Sequence, residues 1–154
     1  MPRFRAASSR LLNRFWEVLD ADNIVLFQAV FGAAFILCGL NGLFVSHFQA
    51  PLTLKGQMGQ TYVALWYGLL VLGPLACLVG KSLHNRLIYA GHLLQITGDV
   101  TVALVLLAYI TGTVQSEPIG HGGFGAFGGT AFFVSALLFI TRDVRRLRAV
   151  EKSK

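Results

Sequence analysis

The stretch HLLQITGD, residues 92–99, places three polar side chains inside a long apolar run. At about 100° per residue, His92, Gln95 and Asp99 fall within a helical arc of about 60°, and Tyr89 lies just beside them. An ionised aspartate in the middle of a bilayer costs about 3 kcal/mol on insertion scales, and intramembrane acids and histidines often carry protons. This polar stripe is therefore expected to face a bundle interior, a water-filled cavity or another subunit.

Asp99 needs a partner, because the apolar windows themselves contain no lysine or arginine. His92 lies about 10 Å away along the helix axis. The candidate polar partners on other helices are Gln28, Asn41 and Ser135. Burial favours the neutral form of a carboxyl group, so a protonated Asp99 bonded to a neutral partner is the simplest arrangement. Three interpretations stay open: polar contacts between helices, a proton or ion path, or the wet wall of a pore built by several copies.

The elements that position this stripe are membrane spans. Of the 154 residues, 55% are hydrophobic and only 13% are charged, with a mean hydropathy of +0.63. A soluble domain carries about a quarter of its residues as charges. Each of four apolar windows is long enough to cross a hydrocarbon core of about 30 Å. These windows predict an all-α fold, a bundle of four transmembrane helices that forms domain 23–141. The windows are residues 23–45, 61–80, 88–111 and 124–141.

Basic residues predict the orientation of these spans. All but one of the 13 lysines and arginines flank the same side, and Lys55 is the exception. By the positive-inside rule, both termini and the 81–87 loop are cytoplasmic, in a multi-pass protein of the inner (cytoplasmic) membrane. Residues 142–154 are then a basic cytoplasmic tail. The basic residues that give the chain its net charge of +6 are expected to contact the head groups of the lipid bilayer rather than nucleic acid.

The N-terminal segment, residues 1–22, is predicted to be cytoplasmic. Within it, residues 8–20 (SSRLLNRFWEVLD) place leucine and aromatic side chains on one broad face and polar side chains on the other. Basic residues opposite an aromatic face are typical of an amphipathic helix lying in the membrane interface.

Small residues at helix-packing spacing recur in the first and fourth windows. Ala34, Cys38 and Gly42 follow one another every four residues, and Gly125 with Gly129 forms a G-x-x-x-G pattern. Such patterns let helix backbones approach closely, within one bundle or between subunits, and packing within the bundle is the favoured interpretation. In the second window, Pro74 removes a backbone hydrogen bond and is expected to kink the helix.

Catalytic chemistry is not indicated. A haem held between helices needs two facing histidines, and His92 is the only histidine well inside a window. Cys38 and Cys77 both fall inside windows and are expected to be small buried hydrophobes, not a metal pair. No serine, cysteine or carboxylate pair has the neighbours that a nucleophile requires. We expect no enzyme activity, no cofactor and no metal.

Three segments carry a resemblance to known proteins: DADNIVLFQAVFGAAFILCGLNGLF (20–44), GPLACLVGK (73–81) and TRDVRRLRAVEK (141–152). With the four-span layout, they resemble the small four-span membrane proteins of actinobacterial phages, some of which are called holin-like. The segment GAAFILCGLNGLF alone also resembles DoxX-type four-helix proteins. Neither resemblance carries a functional residue over to this chain.

Three functions follow as hypotheses. The first is a holin-like or otherwise membrane-perturbing homo-oligomer, which the phage resemblance implies. The second is a small proton-coupled transporter, or an accessory subunit of a larger membrane complex, in which His92 and Asp99 handle a proton. The third is a scaffold that binds a partner membrane protein and does no chemistry.

Overall fold

The chain folds into long helices. The computed structural model describes residues 22–45, 47, 49, 59–83, 87–116 and 123–152, and no strand occurs in these ranges. The helices are α1 (Asp22–Leu40), α2 (Gln60–Leu83), α3 (Ile88–Ser116) and α4 (Gly123–Lys152). Helix α1 is followed directly by a π-helical turn at Asn41–Val45. The all-α prediction is confirmed, whereas the predicted interfacial helix at 8–20 lies outside the described residues.

The described part of the chain also contains four helical stretches of the length and apolarity that the prediction of four spans requires. The helical stretches that are long and apolar enough to cross a membrane are Leu26–Val45, Gln60–Leu83, Ile88–Gln115 and Gly125–Lys152. The second and fourth windows end at residues 80 and 141 by hydropathy, yet α2 continues to Leu83 and α4 to Lys152. Hydropathy measures apolarity and not helicity, and leucine, lysine and arginine all favour helix. Lys81 and Arg142 therefore belong to the helices.

The chain divides into two compact units, Met1–Phe31 and Gly32–Lys154. The described part of the first unit is the beginning of α1, where the rings of Phe27 and Phe31 stack with centroids 5.9 Å apart. In the second unit, α3 packs against both α2 and α4. The core of the second unit is formed by Val63, Tyr67, Leu70 and Val105.

Glycines bring α2 and α3 into close backbone contact. A Cβ atom placed on Gly98 would lie 2.5 Å from both the Gly73 carbonyl oxygen and the Cys77 Sγ, and one on Gly80 would lie 2.6 Å from the Gly91 carbonyl oxygen. Only glycine fits at such distances, and the approach resembles the small-residue interfaces of membrane helices. Helix α2 continues on both sides of the fully buried Pro74.

The small residues of the first and fourth windows contribute unequally to packing. Gly42 is buried against the ring of Tyr67, whereas Ala34 and Cys38 are exposed. Gly129 is buried beside Ile110, where its Cβ would lie 3.1 Å from Cγ1. A strict four-residue spacing drifts by about 40° per step around a helix of 3.6 residues per turn, so one helix face cannot hold the whole series.

We expect Gly98→Ala to destabilise the protein because its Cβ would force α2 and α3 apart. Overpacking of this kind costs about 1–3 kcal/mol in the free energy of unfolding. Gly68 is the matched control, because a Cβ there meets nothing within 4 Å. Gly68→Ala should be neutral or stabilising by up to about 1 kcal/mol through helix propensity. Denaturant titration in detergent, followed by circular dichroism, measures both; equal stability of the two variants would contradict the close contact.

Candidate functional site

Most of the polar stripe on α3 is buried. His92, Gln95 and Asp99 are each less than 5% exposed, whereas Tyr89 is 43% exposed. Tyr89 lies in the first turn of α3, at the edge of the arc, which explains why it stays outside. Asp99 lies about 4 Å from the midpoint of the helix, at a rise of about 1.5 Å per residue.

Asp99 meets the thiol of Cys77 across the α2–α3 interface. Cys77 Sγ donates to Asp99 Oδ1 at 3.2 Å, and it lies 3.5 Å from the backbone oxygen of Gln95. The contact depends on the glycines that let the two backbones approach. A thiol is a weak donor, so this hydrogen bond is modest. Cys77 is thus a polar contact of the stripe rather than only a small hydrophobe.

Lys81 extends this site along α2. It follows Cys77 by four residues, which places both on one face of the helix. The residue is only partly exposed, and its ammonium group interacts electrostatically with Asp99 and, from α4, with Arg142 and Asp143. A cation is therefore present near Asp99, although the hydropathy windows placed Lys81 and Arg142 just beyond the spans.

Helix α4 contributes an ion pair that is almost completely inaccessible. Arg142 Nε donates to Asp143 Oδ1 at 2.9 Å, and the two side chains are 2% and 0% exposed. The guanidinium carbon of Arg142 also lies 5.5 Å from the centroid of the Phe139 ring, a cation–π distance. Among the described residues, Asp143 Oδ2 accepts no hydrogen bond.

We call these five residues the charged cluster: Cys77, Lys81, Asp99, Arg142 and Asp143. With both acids ionised it holds two positive and two negative charges, so their sum is zero. Burying a lone charge costs several kcal/mol, and opposite charges at close range recover part of that cost. The balance of charges explains how this cluster can exist inside an apolar helix bundle.

The predicted partners of Asp99 differ in their exposure and in their own contacts. Asn41 is exposed, and Ser135 donates to the Ala131 backbone oxygen of its own helix at 2.9 Å. Gln28 is buried in the first unit. The sequence reasoning missed Cys77, Lys81 and the Arg142–Asp143 pair. For Cys77 a signal existed: Gly73, Cys77 and Gly80 form a small-residue face at spacings of four and three.

The charged cluster and His92 bring several ionisable side chains together. The buried His92 lies on the same face of α3 as Asp99, toward the start of that helix. Within the described residues, no three His, Cys, Asp or Glu side chains are grouped to hold a metal ion.

The comparisons with known proteins found no counterpart: no protein-family model, no curated protein and no solved structure matches this chain.

We expect Arg142→Met to destabilise the protein strongly, because it leaves the Asp143 carboxylate buried without its guanidinium. Removing one partner of a buried ion pair costs about 3–5 kcal/mol, whereas replacing both by apolar residues is often neutral or stabilising. The double variant Arg142→Met/Asp143→Leu should therefore recover most of the loss.

Arg148→Met, on the exposed part of α4, is the control and should change the free energy of unfolding by about 0.5 kcal/mol or less. The free energies of unfolding of wild type and the three variants in detergent measure these differences. An Arg142→Met variant as stable as Arg148→Met would contradict the buried pair.

Proposed function

We propose that this protein is a multi-pass membrane protein that takes up and releases a proton at Asp99, as a small proton-coupled transporter or as the proton-handling subunit of a larger membrane complex. The observation that carries the proposal is the contact of the buried Asp99 with the Cys77 thiol, within electrostatic range of Lys81. Ionisable groups inside candidate spans are expensive to bury and commonly mark proton or ion paths.

The two acids of the charged cluster differ in a way that selects Asp99. Asp143 is held by the guanidinium of Arg142 at 2.9 Å, in a charge-assisted pair whose side chains are 2% and 0% exposed. Asp99 accepts a hydrogen bond from the neutral Cys77 thiol and lies on the polar face of α3 that also carries the buried His92. We therefore propose Asp99, rather than Asp143, as the acid that takes up and releases the proton.

His92 and Lys81 suggest a route from Asp99 to one end of the helices. Both lie on the side of Asp99 where α2 ends and α3 begins. Under the positive-inside orientation, that end faces the cytoplasm. Protonation of Asp99 would remove one negative charge from a balanced cluster and leave Lys81 with less compensation. This imbalance would couple the proton to a rearrangement of α2 against α3.

We expect Asp99→Asn to abolish proton movement, because the amide has nearly the same shape but cannot release a proton. The measurement uses purified protein in liposomes that contain a pH-sensitive dye, with a membrane potential imposed by a potassium gradient and valinomycin. Wild-type protein should acidify the lumen faster than protein-free liposomes, and Asp99→Asn should reduce the excess rate at least tenfold.

Thr97→Val is the matched control on the same helix. Thr97 is exposed, and its hydroxyl donates to Leu93 O of its own helix at 2.9 Å, so its loss should leave the rate within twofold of wild type. Wild-type liposomes that acidify no faster than empty ones, or an Asp99→Asn rate equal to the Thr97→Val rate, would overturn the proposal.

The membrane-perturbing hypothesis is our second proposal. It needs the polar stripe at an interface or pore wall shared by several copies. The burial of His92, Gln95 and Asp99 in a single chain favours proton handling within that chain instead. A membrane-perturbing protein should collapse the membrane potential when its expression is induced in a bacterial host, as measured with a potential-sensitive dye. A potential that stays normal at high expression would count against this second proposal.

A further inference from the structure

A second site lies away from the charged cluster, inside the unit Gly32–Lys154. A cavity of about 430 Å³ opens between the helices, and all four contribute to its walls. Its aromatic walls include Phe35 of α1, Trp66 of α2, Tyr109 of α3 and Phe132 of α4. This volume falls within the range of about 300–1,000 Å³ that is typical of small-molecule sites.

The walls of the cavity are uncharged, and two of their polar groups are already satisfied. The indole N–H of Trp66 donates to the Val105 backbone oxygen at 3.1 Å, and the Tyr67 hydroxyl donates to the Gln49 backbone oxygen at 3.0 Å. The hydroxyl of Tyr109 lies beside Gly125, where a Cβ would be 3.1 Å away. An occupant must therefore be uncharged and apolar, with Tyr109 available as one hydrogen-bonding contact.

The proportions of the cavity indicate the shape of this occupant. Along α4 its lining runs from Gly125 to Phe132, which is about 10 Å at 1.5 Å per residue. A volume of 430 Å³ over that length corresponds to a width of about 7 Å. A single hydrocarbon chain is only about 4 Å thick, judged from the contact distance of carbon atoms. A compact ring system fills the space better than an extended chain.

The arrangement of the aromatic side chains supports a planar ring. The rings of Trp66 and Tyr109 are inclined by only 26° with centroids 6.5 Å apart, and Phe35 meets Phe132 edge to face. Such surfaces favour offset or edge contacts with a further aromatic ring. We propose that this cavity binds a compact, uncharged, planar aromatic lipophile that carries one hydroxyl or carbonyl oxygen. The proposal is independent of proton handling at Asp99.

Gly128 provides a way to fill the cavity. It lines the cavity, and a Cβ placed on it meets nothing within 4 Å, so a larger side chain can enter without moving the backbone. Gly68 is the matched control, because a Cβ there also meets nothing within 4 Å and the residue does not line the cavity. Gly128→Leu should block the site, and Gly68→Leu should leave it open.

The experiment measures binding of three ten-carbon alcohols to the purified full chain by equilibrium dialysis at constant detergent concentration. The probes are 2-naphthol, which is planar and aromatic, decahydro-2-naphthol, which has the same skeleton without aromaticity, and 1-decanol, which is a chain. We expect one 2-naphthol per chain above the micelle background. Decahydro-2-naphthol and 1-decanol should bind at least fivefold more weakly.

Gly128→Leu should weaken 2-naphthol binding at least tenfold, Gly128→Ala should weaken it less, and Gly68→Leu should change it less than twofold. Circular dichroism and gel filtration establish whether each variant is folded. If Gly128→Leu does not fold, the binding measured with Gly128→Ala tests the site instead. Equal binding by wild type and by the folded Gly128 variants would overturn the site. Tighter binding of 1-decanol than of 2-naphthol would overturn the assignment to a planar ring.

Discussion

The contact on which the site depends is the close approach of α2 and α3 at their glycines. A Cβ at Gly98 would fall 2.5 Å from the backbone oxygen of Gly73, so the two helix backbones touch directly. Membrane helices gain no hydrophobic driving force from one another in lipid, and they associate through close packing and polar contacts. The same approach brings the Cys77 thiol to Asp99. Without it, the Asp99 carboxylate would lose the Cys77 thiol as a hydrogen-bond donor.

Charge balance is the second constraint, and it follows from the first. Once α2 and α3 enclose Asp99, a negative charge near the middle of a candidate span needs compensation. Lys81 supplies a positive charge from α2, and α4 adds the self-compensated pair of Arg142 and Asp143. Deep burial of Arg142 is possible because its guanidinium also lies against the ring of Phe139. The balance of two positive and two negative charges explains how the cluster can be buried between apolar helices.

The helical class, the number of spans and the polar face of α3 could be predicted from sequence, because each rests on a local pattern of apolar and polar residues. The charged cluster could not be predicted, because it depends on which helices are neighbours. It also depends on how far along each helix the side chains remain packed against another helix. Lys81 and Arg142 lie next to apolar windows, where a basic residue usually indicates which side of the membrane is cytoplasmic. Cys77 counts as apolar on hydropathy scales, although its thiol donates a hydrogen bond. Contacts between residues on different helices produce no such local pattern in the sequence.

The charged cluster and the aromatic cavity are separated along α2 and α3. Cys77 and Asp99 lie nearer the end of α2 and the start of α3, whereas Trp66 and Tyr109 lie nearer the start of α2 and the end of α3. This separation has an electrostatic consequence, because a charge is stabilised by nearby dipoles and counter-charges and an uncharged ligand is not. An aromatic occupant near Trp66 would leave the balance of the charged cluster unchanged. It would act on Asp99 only through the packing of α2 against α3, the interface at which Gly73 and Gly98 bring the two backbones into direct contact.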